Sequence, residues 1–290
     1  MPFDVHNHVI EDISDVICDT IQYCAVMSTT IEEAKILLNL ERNENTLIGL
    51  GMHPWSITKS SYNELHYTEL IESKEFDFIG EIGIDKVATD PTTGLKYDMD
   101  TQITIFESLF FLACKYGLPV SIHCARAYGY FDEFFRSLEC IDSKISNRSK
   151  KKNNFLEYGS SEDDECNENH LKLCTSRLCH QNLKITPKIM LHSYSGSPEI
   201  TQQFLRLSFS HTLYFSFSAI INRRSMPKFE KSIKCIPLNK LLAETDVSRK
   251  NELKVCMDEI LNMIANVLTL DIEKVKTICL DNAKAFYGIQ

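Results

Sequence analysis

Two histidines stand two residues apart near the start of the chain, in Asp4-Val5-His6-Asn7-His8. On a strand, residues two apart face the same side, so both imidazoles can serve one site. Alone, a His-x-His pair is a weak signal that reads more readily as surface or packed histidines than as a metal site. Other groups of ligand chemistry fall at the ends of later apolar runs: Glu81, His123, His192 and Asp246. A carboxylate inside Phe78-Ile79-Gly80-Glu81-Ile82-Gly83 is costly to bury unless it is paired or meets a cation. Imidazole and carboxylate together suit zinc, manganese or a related ion, and the lack of thiolates in the set argues against a purely structural zinc.

The elements that must position these residues are short apolar runs, each long enough for one strand. They are Phe3–His8, Tyr23–Ser28, Leu47–His53, Phe78–Ile84, Pro119–Cys124, Lys188–His192, Leu213–Phe217 and Lys240–Thr245. Near-continuous apolar character, as in Leu47-Ile48-Gly49-Leu50-Gly51-Met52, marks strands buried on both faces of a parallel sheet. Helical patterns lie between them. Over Gln102–Tyr116, residues Ile103, Phe106, Leu109, Phe110 and Ala113 keep the spacing of an amphipathic helix. Ser197-Pro198-Glu199 supplies a hydroxyl cap, a first-turn proline and an acid at the positive dipole end. Asp271 can cap a last helix that runs to about Phe286, with Gly288 as its stop. Eight strands alternating with helices predict an α/β chain folded as a (β/α)8 TIM barrel, whose strand ends form the mouth. An open doubly wound sheet is the rival architecture.

At 290 residues, 43% hydrophobic and 24% charged, the chain reads as globular and long enough for a sizeable core. Its net charge of -9 excludes an overall basic coat for nucleic acid, so a polyanion would be gripped locally. No apolar run approaches the roughly 20 residues of a membrane span. Eleven scattered cysteines suit reduced thiols, which points to the cytoplasm or nucleus rather than a secreted disulfide framework. One polar stretch, 141–186, breaks the rhythm between the fifth-strand helix and the sixth strand. It reads as a flexible insertion within a single 1–290 barrel, leaving from the face opposite the mouth. Its Cys166, His170, Cys174, Cys179 and His180 lack zinc spacing, and unstructured sequence is the simpler reading.

Taken together, Asp4-Val5-His6-Asn7-His8, Gly51-Met52-His53-Pro54, Gly80-Glu81-Ile82-Gly83-Ile84-Asp85, Ile122-His123, His192-Ser193-Tyr194-Ser195-Gly196-Ser197 and Glu244-Thr245-Asp246 resemble the TatD family of metal-dependent deoxyribonucleases, within the amidohydrolase superfamily. The resemblance runs from residue 3 to the closing helix, where Asn282 to Gly288 matches an Asn-x-x-x-Phe pattern. It implies two divalent metal ions (zinc, magnesium or manganese). His6, His8 and Asp246 would hold one, His123 and His192 the other, with Glu81 bridging. The ions would clamp a phosphate oxygen and acidify a water, and Asp246 would orient or deprotonate that water. The implied activity is a DNA exonuclease, commonly acting from the 3′ side, with Asp246 and Glu81 catalytic. The chain departs from the family pattern in three places. Trp55 stands where a second histidine is frequent, no proline follows shortly after Asp246, and the arginine spacing after His123 differs.

His53, followed by Pro54, reads equally as a donor to substrate phosphate, a ligand, or a histidine that stabilises its loop. His66, His170, His180 and His211 match no motif. Lys86, Arg126, Arg223, Arg224, Arg249 and Lys250 fall in loops after strands, where arginine forks suit phosphates. Trp55, Tyr128 and Tyr194 lie in the same loops and could stack on bases. Two rival functions remain. One is hydrolysis of an amide, lactone or ester, including an aminoacyl-tRNA ester, at the same metals. The other is a non-catalytic binding protein that uses 141–186 as its partner surface. A monomer is expected.

Overall fold

A computed structural model describes residues 1–10, 21–57, 62–139, 177 and 187–289. The strands are β1 (Phe3–Asn7), β2 (Tyr23–Val26), β3 (Thr46–Met52), β4 (Phe78–Asp85), β5 (Val120–Ala125), β6 (Ile189–Leu191), β7 (Leu213–Phe217) and β8 (Leu241–Ala243). They pair in parallel, in chain order from β1 to β8. Backbone bonds from Asp246 N–H to the His6 carbonyl (3.0 Å) and from His8 N–H to the Val247 carbonyl (2.8 Å) join the end of β8 to β1. This is the (β/α)8 barrel, and the open sheet is excluded. Observed strands match the apolar runs within two residues. The differences fall at both ends of the strands, and His8, His53, His192 and Asp246 all lie past the last residue of theirs.

Helices form where the pattern puts them, and the caps explain their starts. The Met99–Tyr116 helix begins three residues earlier than its apolar stripe, because Asp98 accepts from Thr101 N–H. Ser197 caps Pro198–Leu205 through Ile200 N–H. Asp271 caps Ile272–Tyr287 through Glu273 and Lys274, and Gly288 ends it in the left-handed region. That last helix closes the barrel floor. Ala283 and Phe286 pack with Phe3, Val5, Ala25, Phe78, Met190, Tyr214 and Leu242 from the strands. The Tyr287 hydroxyl donates to the Val5 carbonyl at 2.7 Å, and the Asn282 amide donates to the Leu238 and Leu241 carbonyls.

Strict alternation along β4 would send Glu81 outward with Ile79. Instead Ile79 and Ile82, three apart, both pack in the outer layer, while Phe78 faces the interior. The pairing of β4 with β5 shifts register between Ile79 and Ile82, and that irregularity turns Glu81 inward. Gly51 makes room for it, since a Cβ there would come within 2.3 Å of the Glu81 backbone nitrogen. No described helix is long and apolar enough to cross a membrane. The 141–186 segment, its cysteine and histidine cluster, and its expected exit face lie outside the described residues. The exception is Arg177, which reaches both Glu64 oxygens at 2.7 and 2.8 Å.

Candidate metal centre

Five ligand-type side chains, from β1 and β5 and from just past the ends of β1, β6 and β8, gather around one carboxylate on β4. Glu81, 1% exposed, points its two oxygens at different partners. Oε2 lies 3.3 Å from His6 Nε2 and 3.1 Å from His8 Nε2. Oε1 lies 2.7 Å from both His123 Nδ1 and His192 Nε2, and 3.3 Å from His53 Nε2. Asp246 Oδ1 stands further off, 3.7 Å from His8 Nε2 and 3.9 Å from His6 Nε2. The predicted ligands His6, His8, Glu81, His123, His192 and Asp246 are therefore brought together, and His53 joins them.

The local backbone is bent to achieve this. Arg126, Ser193 and Asp246 follow β5, β6 and β8, and each has a positive φ (56°, 41° and 57°). Such conformations are uncommon outside glycine and concentrate at functional sites.

Do these residues fit divalent ions? Ring nitrogens approach each other closely: His6 to His8 at 3.2 Å, His123 to His192 at 3.2 Å, His53 to His123 at 3.3 Å. Two neutral imidazoles can share only one proton across such a contact. Two ligand sets meet on Glu81, His6–His8–Glu81 and His53–Glu81–His123, each with ligating atoms within 4.8 Å of one another. Hard and borderline donors packed this way fit Zn, Mn or Mg-type ions.

The electrostatics agree. Burial alone would raise the Glu81 carboxyl, but the positive charge of His192 and the His123 hydrogen bond hold it well below its ordinary value. Burial lowers His192, yet Glu81 and Glu244 more than reverse that and raise it well above an ordinary imidazole. His53 goes the other way: burial brings it down to about 4 despite Glu81.

Three supporting residues were not singled out from the sequence. Glu244 accepts from Ser193 N–H (2.6 Å), Ser193 Oγ (2.7 Å) and the Ser216 hydroxyl, and stands 3.3 Å from His192 Nδ1. A carboxylate behind a histidine fixes its tautomer and leaves the inner nitrogen free to bind. Ser121 does the same from Oγ, 3.0 Å from His6 Nδ1. Asp85 accepts from the Trp55 indole N–H at 2.7 Å and lies 3.5 Å from His123 Nε2. Asp85 and Glu244 sat inside the quoted motifs, and burial next to a ligand-bearing strand end was the signal available.

A cavity of about 760 Å³ opens over the centre, lined by His8, Trp55, Asp85, Arg126, Arg224 and Asp246 among others. The remaining substrate candidates are not brought to it. Tyr194 is 1% exposed and its hydroxyl sits 3.0 Å from Thr201 Oγ1, so it is a core residue rather than a stacking surface. The aromatic edge contacts with Phe215 and Phe217 hold it there. Arg223 pairs with Glu259 on the outer helix, and Arg249, 77% exposed, pairs with Glu252. Both guanidiniums find acids on the Lys250–Leu268 helix, away from the cavity wall. Tyr128 is tied to Ser195 at 3.0 Å.

The family model for TatD related DNases matches residues 3–288. The Schizosaccharomyces pombe Cut9-interacting protein scn1 is 29% identical over 228 residues, covering 73% of this chain and 62% of that protein. The chain thus spans less than two thirds of that relative's length. An uncharacterized deoxyribonuclease of Saccharomyces cerevisiae is 23% identical over 300 residues, 84% of this chain and 82% of its own. Among solved structures, an Escherichia coli TatD homologue superposes with a TM-score of 0.67 at 16% identity, covering 99% of this chain and 98% of that one. A TatD-family hydrolase of Entamoeba histolytica gives 0.61 at 14%, covering 99% and 98%. These two likenesses establish the shared fold. The match from end to end settles the lineage: this chain belongs to the TatD-related DNase family.

Proposed function

We propose that the chain is a two-metal phosphodiesterase that removes nucleotides from DNA ends, with 3′ ends as the favoured polarity. The observation that carries this reading is one buried carboxylate whose two oxygens face His6 and His8 on one side and His123 and His192 on the other, beneath a cavity lined by Arg126 and Arg224. When bound, two divalent ions supply Lewis acidity at a phosphoryl oxygen and lower the pKa of a water. His6, His8 and Asp246 would hold one, His123 and His192 the other, and Glu81 both.

The chain's own residues do the rest. Ser193 Oγ stands 3.1 Å from Asp246 Oδ2, while Oδ1 is the oxygen turned to the histidines and the one placed to take the water's proton. His53 is a donor rather than a ligand. Its Nδ1 accepts from Trp55 N–H at 3.1 Å, so the neutral ring carries its proton on Nε2, the nitrogen that faces the centre. Burial lowers the ring's pKa to about 4, which favours the neutral form whose Nε2–H can be offered to a substrate phosphoryl oxygen. Arg126 and Arg224 on the cavity wall suit neighbouring phosphates. A relative named for an interaction with Cut9 supports a protein partner for the chain.

The test is degradation of single-stranded DNA by purified protein before and after chelation, with Asp246→Asn alongside. Loss on chelation, restoration by zinc, manganese or magnesium, and a fall of about 10²–10⁴-fold in turnover for the variant are expected. Binding of DNA without cleavage under any metal would overturn the reading. Cleavage of an ester or amide panel in its place would favour the same centre on a different bond.

A further inference from the structure

Trp55 is the chain's single tryptophan, and 54% of it is exposed on the cavity wall. Large exposed aromatics cost solvation, yet this one is pinned rather than loose. Its indole N–H donates to Asp85 Oδ2 at 2.7 Å. The His53 ring meets it edge-on, with centroids 4.8 Å apart at 82°, and the His123 ring stands 6.1 Å away at 72°. Asp85 is itself fixed: Oδ1 accepts from Val87 and Ala88 N–H, and its backbone N–H and carbonyl are both held by the Gln102 amide. A side chain fixed at its polar edge, and flanked by two edge-on histidines, has lost its rotamer freedom before any ligand arrives. That is the condition under which stacking yields affinity rather than ordering cost.

We infer that Trp55, anchored by Asp85, is a preset platform on which the cavity stacks one unpaired nucleobase beside the metal centre. The inference rests on the phosphodiesterase reading and adds to it. A platform beside the reacting phosphate can be reached only by a base that has left its duplex partner. The enzyme would therefore act on single-stranded or frayed ends, with little preference for sequence, because every base has a π-face. Asp85 is the positioning residue: its Oδ2 touches the indole and also lies 3.5 Å from His123 Nε2, so the platform and the centre share one carboxylate.

The test uses a pair of ligands that differ only by the base, deoxyadenosine 5′-monophosphate and deoxyribose 5-phosphate, titrated into metal-loaded protein by calorimetry. The nucleotide should bind at least about fivefold more tightly. It should also quench the protein's tryptophan emission saturably, while the sugar phosphate should not. In Trp55→Ala the preference for the nucleotide should collapse. Trp55→Phe, which keeps a ring but loses the bond to Asp85, should retain part of it. Asp85→Ala should lower the affinity for the nucleotide and the anisotropy of Trp55 emission together. Equal binding of the two ligands by wild type, or a preference that survives Trp55→Ala, would overturn the platform. Neither readout needs cleavage, so a protein that shows the base preference but degrades no DNA would refute the phosphodiesterase reading and leave the platform standing.

Discussion

Replacing Glu81 with glutamine keeps the shape of the side chain and removes the one charge that both ligand sets share. The two sets should not suffer equally. The His6–His8 set retains Asp246, whose Oδ1 lies 3.7 Å from His8 Nε2. The His123–His192 set keeps only imidazoles facing inward, because Asp85 stands behind His123, on its Nε2. Losing a partner one layer behind a ligand commonly costs about 10–100-fold in metal affinity. Losing the sole inward carboxylate should exceed that, so the second site should weaken by more than about 100-fold, or roughly 2.7 kcal/mol. The first should weaken by less. Zinc titration by calorimetry, with elemental analysis after gel filtration, reads both. Wild type should retain two ions and Glu81→Gln at most one, held loosely, with a far-ultraviolet spectrum unchanged. His66→Ala, exposed and outside the motifs, serves as the control. A Glu81→Gln protein that holds one ion as tightly as wild type would refute the shared carboxylate.

Other outcomes follow from the same geometry. Glu244→Gln frees His192 Nδ1 to accept as well as donate, and should lower metal affinity about 10–100-fold, measured by the same titration. Arg126→Ala and Arg224→Ala should raise KM for single-stranded DNA and flatten its salt dependence by a slope of about 0.7 each, whereas Arg223→Ala and Arg249→Ala should not. In metal-free protein, the His53 pKa is lowered on folding, from 6.5 to about 4. The unfolded chain therefore binds a proton first as pH falls. The stability contributed by neutral His53 is complete above pH 6.5 and lost on the way down to about 4, a change of about 3 kcal/mol. Denaturant unfolding of wild type and His53→Asn across that window should show the shallower slope in the variant.

The fold was written in local pattern. Runs such as Leu47–Met52 can only be strands buried on both faces, and the caps Ser197 and Asp271 act on their own next few residues. The ligand residues were legible for a related reason: strand ends in a barrel converge, so a histidine or acid closing each apolar run had one place to go. What sequence periodicity could not give was direction across the sheet. Alternation points Glu81 outward, and only the register slip between Ile79 and Ile82 brings it in. It could not separate Tyr194 from Trp55 either, since both are aromatics in loops after strands. Burial of one against Phe215 and Phe217, and the Asp85 bond of the other, come from chain segments far apart in sequence. The same holds for Arg223 and Arg249, whose acids lie on one outer helix, and for His53, whose tautomer is set by the Trp55 backbone. Which residues have ligand chemistry is a property of the chain. Which way each one points, and which nitrogen carries the proton, is decided by contacts that exist only after folding.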